Sequence, residues 1–311
     1  MKTRFIDRSF ALKLALAAVS LLCIQADAQT RSITVSAEPN AIVWIDGVNY
    51  GKTSKAGSLQ ITTVAAGAHT LKVRADGFKE KSQPLTAIQK GTVTVPLVKT
   101  TDEAELAFQE AERLAGADRD KSAEAYKKAI KLRSAYPEAF VGLARVLTEL
   151  ADYEAAQSAI ASARKLRPGY AEASAVQGRI YNETADEAKA IAAFKRAITE
   201  GKGFQPEAYA GLGILYKEKA EGFGGSGDFA NETANYLEAA KNLKLSVKQL
   251  SGAPDAIVIY QLLGLVYERQ KKYPEAIATY EEFLRIFPNT ADAEAIRSII
   301  VQLKKEQNPQ D

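Results

Sequence analysis

The sequence predicts an α+β protein in two parts, a small antiparallel β-sandwich followed by an all-α solenoid of paired helices. Three observations carry this. Apolar residues alternate with a period of two between Arg31 and Val98. From about Glu103 onward they recur at helical spacing instead. Within that helical part, small and bulky residues repeat every 34 positions: Ala144 steps onto Gly178, Leu147 onto Tyr181, Ile160 onto Phe194. Small opposite large has a packing reason, since two helices cross closely only where one offers Ala or Gly and the other fills the space beside it.

The chain opens with Lys2, Arg4 and Arg8 before an apolar run, Leu14 to Ile24, and then Ala26-Asp27-Ala28. This is the pattern of a secretory signal peptide over residues 1–28, so the mature chain is expected to start at Gln29 and to be exported, periplasmic or attached to the cell envelope. The apolar run is too short for a mature transmembrane helix. Cys23, the only cysteine, lies in the leader behind Leu22, where a lipoprotein signal needs a small residue. A mature chain without cysteine has no disulfides and no thiolate metal site. With 41 Lys and Arg against 38 Asp and Glu, the formal charge is +3, too small to attract nucleic acid in general.

Residues 29–99 make the β-domain. Ile33 and Val35, Val43 and Ile45, Leu59 and Ile61, Leu71 and Val73, and Val93 and Val95 form pairs two apart, giving five or six short strands. Asp46-Gly47 and Asp76-Gly77 suit tight hairpins, and Pro96 suits an edge. Residues 99–101 are a short connection, tight enough to hold the β-domain against the first helices, with Thr100 and Glu103 as a capping box. The solenoid fills residues 100–306 as about five helix pairs and a capping helix from about Asp292 to Lys305, and residues 307–311 form a disordered tail. One pair is stretched: Gly213 to Gly264 is 51 residues, 17 beyond the period. The excess is expected in a Gly222 to Gly227 loop and in a long helix from about Phe229 to Leu250.

Glu38-Pro39-Asn40-Ala41, Val43-Trp44-Ile45-Asp46-Gly47, Gly51-Lys52-Thr53, Ala66-Gly67-Ala68-His69 and Asp76-Gly77-Phe78 follow one another as in a PEGA domain, which this region resembles. Asn40 and Ser54 depart from the family's usual Gly and Pro. Such domains occur mainly in bacterial surface and envelope proteins, so the resemblance implies a location. Tyr260, Leu263, Gly264, Tyr267, Tyr273, Ala276, Tyr280 and Pro288 fall at the spacing of a tetratricopeptide repeat (TPR), and Pro137 to Tyr170 forms another copy. Phe283 stands where that family has Ala. The resemblance implies a superhelix whose first helices line a groove that captures peptide or protein segments.

With the units in register, that groove receives Arg145 and Arg179 at equivalent positions, then Thr148, Asn182, Lys217 and Glu268, with Arg269 beside the last and Gln261 extending the surface. The set reads either as an arginine-and-glutamate ladder for a charged extended segment or as charges that neutralise one another. A different class of function assigns cell-wall glycan (peptidoglycan) to the β-domain, with Trp44, Tyr50 and Phe78 as stacking candidates.

Catalysis is not expected, and no cofactor or metal is implied. Gly222-Phe223-Gly224-Gly225-Ser226-Gly227 has the spacing of a dinucleotide loop but follows a helix, where that mechanism needs a strand. Gly51-Lys52-Thr53 has no helix after it to hold a phosphate. His69, the only histidine, sits after a turn with no second histidine to share a metal.

Overall fold

The computed structural model describes residues 30–307. The expected leader and residues 308–311 lie outside them, while Gln307, expected in the tail, is the last residue of the final helix.

Among the described residues seven strands form two packed sheets: β1 (Arg31–Ser36), β2 (Ile42–Ile45), β3 (Val48–Lys52), β4 (Ser58–Val64), β5 (His69–Arg74), β6 (Lys81–Leu85) and β7 (Gly91–Thr94). One sheet has the order β4-β1-β7, the other β3-β2-β5-β6. The alternating pairs point between them: Ile33, Val35, Val43, Ile45, Leu71 and Val73 are all buried. Strands β3 and β6 lack a pair of aliphatic residues two apart, which is why alternation does not reveal them. The sandwich is also not wholly antiparallel, because β7 pairs with β1 in parallel, Ile33 facing Gly91 through Ser36 facing Thr94. Strand β6 ends in the opposite sheet, and the crossover of residues 86–90 brings β7 in along β1 in the same direction.

Local chemistry explains the turns. Asp46 and Gly47 both have positive φ, 51° and 84°, the mirror-image turn that matches strand twist in a two-residue hairpin. His69 braces this hairpin, with Nδ1 2.6 Å from Asp46 Oδ2 and Nε2 2.9 Å from the Ala65 carbonyl. The buried Thr53 hydroxyl donates to the Glu38 carbonyl at 2.6 Å and accepts from the Ala41 amide at 2.8 Å. Both residues therefore do structural work in the β-domain.

Eleven helices follow among the described residues: α1 (Glu103–Leu114), α2 (Arg119–Leu132), α3 (Pro137–Glu149), α4 (Tyr153–Leu166), α5 (Ala171–Glu183), α6 (Glu187–Glu200), α7 (Pro206–Gly225), α8 (Phe229–Leu250), α9 (Ala256–Arg269), α10 (Tyr273–Ile286) and α11 (Ala293–Gln307). They form five antiparallel pairs and a final single helix. Asp118, Asp152, Asp186 and Asp228 each accept a backbone N–H at the start of a second helix, satisfying an orphan donor and placing negative charge at the positive end of the helix dipole. At α1 the cap is Asp102, whose carboxylate accepts from Ala104 and Glu105. Thr100 instead accepts from the Asp102 amide at 3.1 Å, which replaces the expected Thr100–Glu103 box.

Within a pair the helices touch at glycine. A Cβ on Gly264 would lie 2.3 Å from the Tyr280 ring, and one on Gly178 2.5 Å from the Phe194 ring. The stretched fourth pair differs from expectation in one respect. Residues 222–225 continue α7, so the excess lengthens both partners, to 20 and 22 residues against 13 and 14 in the pair before. Glycine weakens a helix interior by about 1 kcal/mol without forbidding it, and here the opposed α8 supplies the packing that keeps the helix going. Glu232 of α8 lies directly over Gly224.

Between α4, α5 and α6 a polar network sits largely out of solvent. Arg164 donates to Glu200 Oε1 at 2.9 Å and to Ser174, and Ser174 donates to Glu200 Oε2 at 2.5 Å. Burial raises the Glu200 carboxyl, but hydrogen bonds from Arg164 and Ser174 outweigh it and hold the pKa below the ordinary glutamate value. A carboxyl depressed on folding stabilises the protein above its unfolded pKa of about 4.3, and that contribution is lost as pH falls through the folded value. Urea unfolding of Glu200→Gln is therefore expected to show a loss of about 1.5–3 kcal/mol at pH 7 and a smaller loss at pH 3. An equal loss at both pH values would mean the charge is not what the network holds.

Candidate binding cleft

The β-domain does not hang from the end of the solenoid but spans it, fastened at two places. The first is α1. Gln109, 5% exposed, donates to the Phe78 carbonyl at 2.8 Å and accepts from the Gly77 amide at 2.9 Å. Arg74 lies 4.9 Å from the ring centres of both Trp44 and Phe108, and pairs with Glu112 and, at 3.4 Å, with Glu80. The linker is pinned to the same corner, where the Thr100 amide donates to the Gly77 carbonyl at 2.9 Å.

The second anchor is the turn between α8 and α9. Val48, 6% exposed, belongs to the apolar cluster of those helices. The Tyr50 hydroxyl reaches the Leu250 and Ser251 carbonyls at 3.4 Å, and burial pushes its pKa up to about 12. Ser251 donates from Oγ to the Thr63 carbonyl at 2.5 Å. The turn comes this close because Gly252, at φ 78°, has no side chain; a Cβ there would sit 2.7 Å from Thr63 Oγ1.

Between the anchors lies a cleft of about 1030 Å³, with Trp44 and Lys72 on the sheet side and Tyr136, Arg145, Tyr170, Phe204 and Glu207 on the helical side. Its helical wall is periodic. Arg133 stacks on Tyr136 at 4.5 Å and pairs with Asp102; Arg167 stacks on Tyr170 at 4.4 Å and pairs with Glu138. The Tyr136 and Tyr170 hydroxyls donate to Glu105 and Glu172, both at 3.1 Å. Burial first, and then the neighbouring carboxylate, raise both phenols. Asp255 is also raised, by burial and then by Glu207.

Of the residues expected in the groove, Arg145 lines this cleft. Its guanidinium forks onto Glu207 at 2.6 and 2.5 Å and reaches Glu172 at 3.2 Å. Thr148 does not present its hydroxyl to a ligand: it is 5% exposed and donates back to the Ala144 carbonyl at 2.7 Å. Arg179 lies 3.5 Å from Glu149, which also receives Arg119. Lys217 pairs with Glu221 at 2.8 Å, Gln261 donates to Asp292 at 2.9 Å, and Glu268 accepts from the Tyr280 hydroxyl. Asn182 is half-buried and Arg269 exposed, both outside the cleft lining. The three aromatic candidates of the β-domain do not share a face. Trp44 lines the cleft beneath Lys72 and Arg74, Tyr50 belongs to the second anchor, and Phe78 packs on the sandwich core. The Tyr136, Tyr170, Phe204 row was absent from the expected set, although its 34-residue spacing is visible in the sequence.

The architecture is a β-module bridging the inner side of a helical-repeat solenoid. Residues 30–101 match the PEGA domain, and residues 141–203 and 258–290 match tetratricopeptide repeats. The chain is thus a PEGA domain followed by a TPR array. Among solved structures, yeast Tom70 is similar over 67% of this chain and 41% of its own, at 15% identity and a TM-score of 0.52. A thermophilic TPR protein of Thermus thermophilus covers 64% of this chain and 98% of its own, at 17% identity and a TM-score of 0.47. At 15% identity the likeness to Tom70 is one of fold. No curated protein matches the chain.

Proposed function

We propose that the protein is an exported, non-catalytic scaffold of the bacterial cell envelope that holds an extended segment of a partner protein between its β-domain and the inner helices of its TPR array. The observation that carries this is the cleft itself, bounded by two domains and walled by a periodic row of aromatic and charged side chains. TPR arrays serve protein–protein interaction, and stacking of repeats supplies the long surface an extended segment needs. The leader expected over residues 1–28 and the PEGA domain support the envelope location. No helix of the described residues is long and apolar enough to cross a membrane.

The test is site-specific photo-crosslinking in envelope fractions. A photoreactive residue in place of Ala210, which lines the cleft, is expected to give a discrete protein adduct, and one in place of the exposed Lys127 on α2 is not. Adducts from Lys127 alone would move the binding surface to the outer helices and sink this reading.

A further inference from the structure

The cation-on-aromatic row breaks at its third position. Arg133 and Arg167 each follow a helix end and lie on the tyrosine three residues later. The same place after α6 is Gly201, and three residues on stands Phe204, whose side chain is 38% exposed and lines the cleft. Glycine has nothing to lay across that ring. Thirty-four residues after Glu138, the partner of Arg167, stands Glu172, whose side chain is 47% exposed while it also receives Arg145 and the Tyr170 hydroxyl.

Charge in the cleft points the same way. Its lining carries five Lys and Arg against eight Asp and Glu, in a chain whose formal charge is +3. Each of the five already has an acid partner: Lys72 on Glu80, Arg74 on Glu112 and Glu80, Arg133 on Asp102, Arg145 on Glu207 and Glu172, Arg167 on Glu138. What remains is negative. Glu105 is held by neutral donors, Gln109 and the Tyr136 hydroxyl, and Asp255, in no ion pair of its own among the described residues, lies near Glu207 and the Arg145 that Glu207 already holds. An anionic segment would meet carboxylates that have no cation of their own, whereas a cationic one would pair with them.

We infer that the cleft takes a basic extended segment, and that one of its arginine or lysine side chains lies on the ring of Phe204 beside Glu172, in the manner of Arg133 and Arg167 on their tyrosines. This rests on the cleft being the partner-binding site. The protein's own pairs show the recognition chemistry at work: a guanidinium 4.4–4.9 Å above an aromatic ring, its edge on a carboxylate.

The experiment is fluorescence anisotropy on the chain without its leader, using a labelled nonapeptide of alternating arginine and alanine and the same peptide with glutamate for arginine. The arginine peptide is expected to bind and the glutamate peptide not. Phe204→Leu, which keeps an apolar side chain at a half-exposed site, is expected to weaken binding about threefold to fivefold. Glu172→Gln combined with Asp255→Asn is expected to weaken it about tenfold. Glu124→Gln, exposed and away from the cleft, should leave it unchanged. Equal binding of the two peptides, an unaltered affinity in Phe204→Leu, or an equal loss in Glu124→Gln would overturn the inference. Addition of the arginine peptide should also abolish the adduct formed from position 210. An adduct that persists would overturn the basic-segment inference and leave the scaffold reading standing; failure of both adduct and peptide binding would remove both.

Discussion

Phe283→Ala is expected to cost about 3–5 kcal/mol in urea unfolding, although alanine is the residue that the repeat pattern places there. Phe283 is fully buried, with its ring 6.3 Å from that of Tyr260 and 5.6 Å from that of Phe287. Elsewhere in the array the small residue lets the following pair of helices approach. Among the described residues α10 is followed by the single helix α11, and the Phe283 ring lies in the apolar cluster that these helices share with α9. Alanine would leave a cavity that the remaining aromatics cannot close. A loss under 1 kcal/mol would show that α11 collapses onto the site and that the departure from the pattern is incidental.

Val48→Asp is expected to release the β-domain from the α8–α9 turn. The substitution puts a carboxylate into the apolar cluster that Val48 shares with Leu250, Ala253 and Ile259, a change costing on the order of 3 kcal/mol or more at that contact. Small-angle scattering should show a larger radius of gyration, with helical circular dichroism retained because the repeats hold one another independently of the β-domain. Asn49→Asp is the control: it is the exposed neighbour, and its carboxylate can still accept from the Gly51 amide. An unchanged radius in Val48→Asp would mean that the second anchor contributes little and that α1 alone holds the domain.

Most of the architecture was legible because it is periodic. Alternation located the strands whose buried faces carry aliphatic pairs, such as Ile33 with Val35, and the 34-residue step located the helix pairs through residues such as Gly178 and Phe194. Strands β3 and β6 escaped because a sheet edge needs little apolar surface to be held by its hydrogen bonds. Residues 222–225 were expected as a loop on intrinsic preference, and packing against α8 overrode it. The cleft was the least legible part. A repeat register predicts which side chains share a face, Arg145 among them, but it says nothing of what another domain lays across that face. The second anchor joins Thr63 to Ser251, 188 residues apart, through backbone and side-chain contacts that leave no pattern in sequence. The row from Tyr136 to Phe204 did leave one; its residues sit at unit boundaries, where they mark the repeat as well as line the cleft.

The bridging β-domain also has a mechanical consequence. An open solenoid is a spring, since each repeat touches only its neighbours and small rotations between them add up to a change of pitch. A rigid sandwich fastened at α1 and again at the α8–α9 turn is a strut across four coils of that spring. The coils inside the frame cannot wind or unwind to grip a ligand, whereas α10 and α11 lie beyond the last fastening and keep that freedom. The frame also fixes the number of coils: one extra helix pair between α2 and α7 would shift the second fastening by on the order of 10 Å or more. No strut of this length could then reach both ends, so the repeat count and the size of the β-domain are bound to change together or not at all.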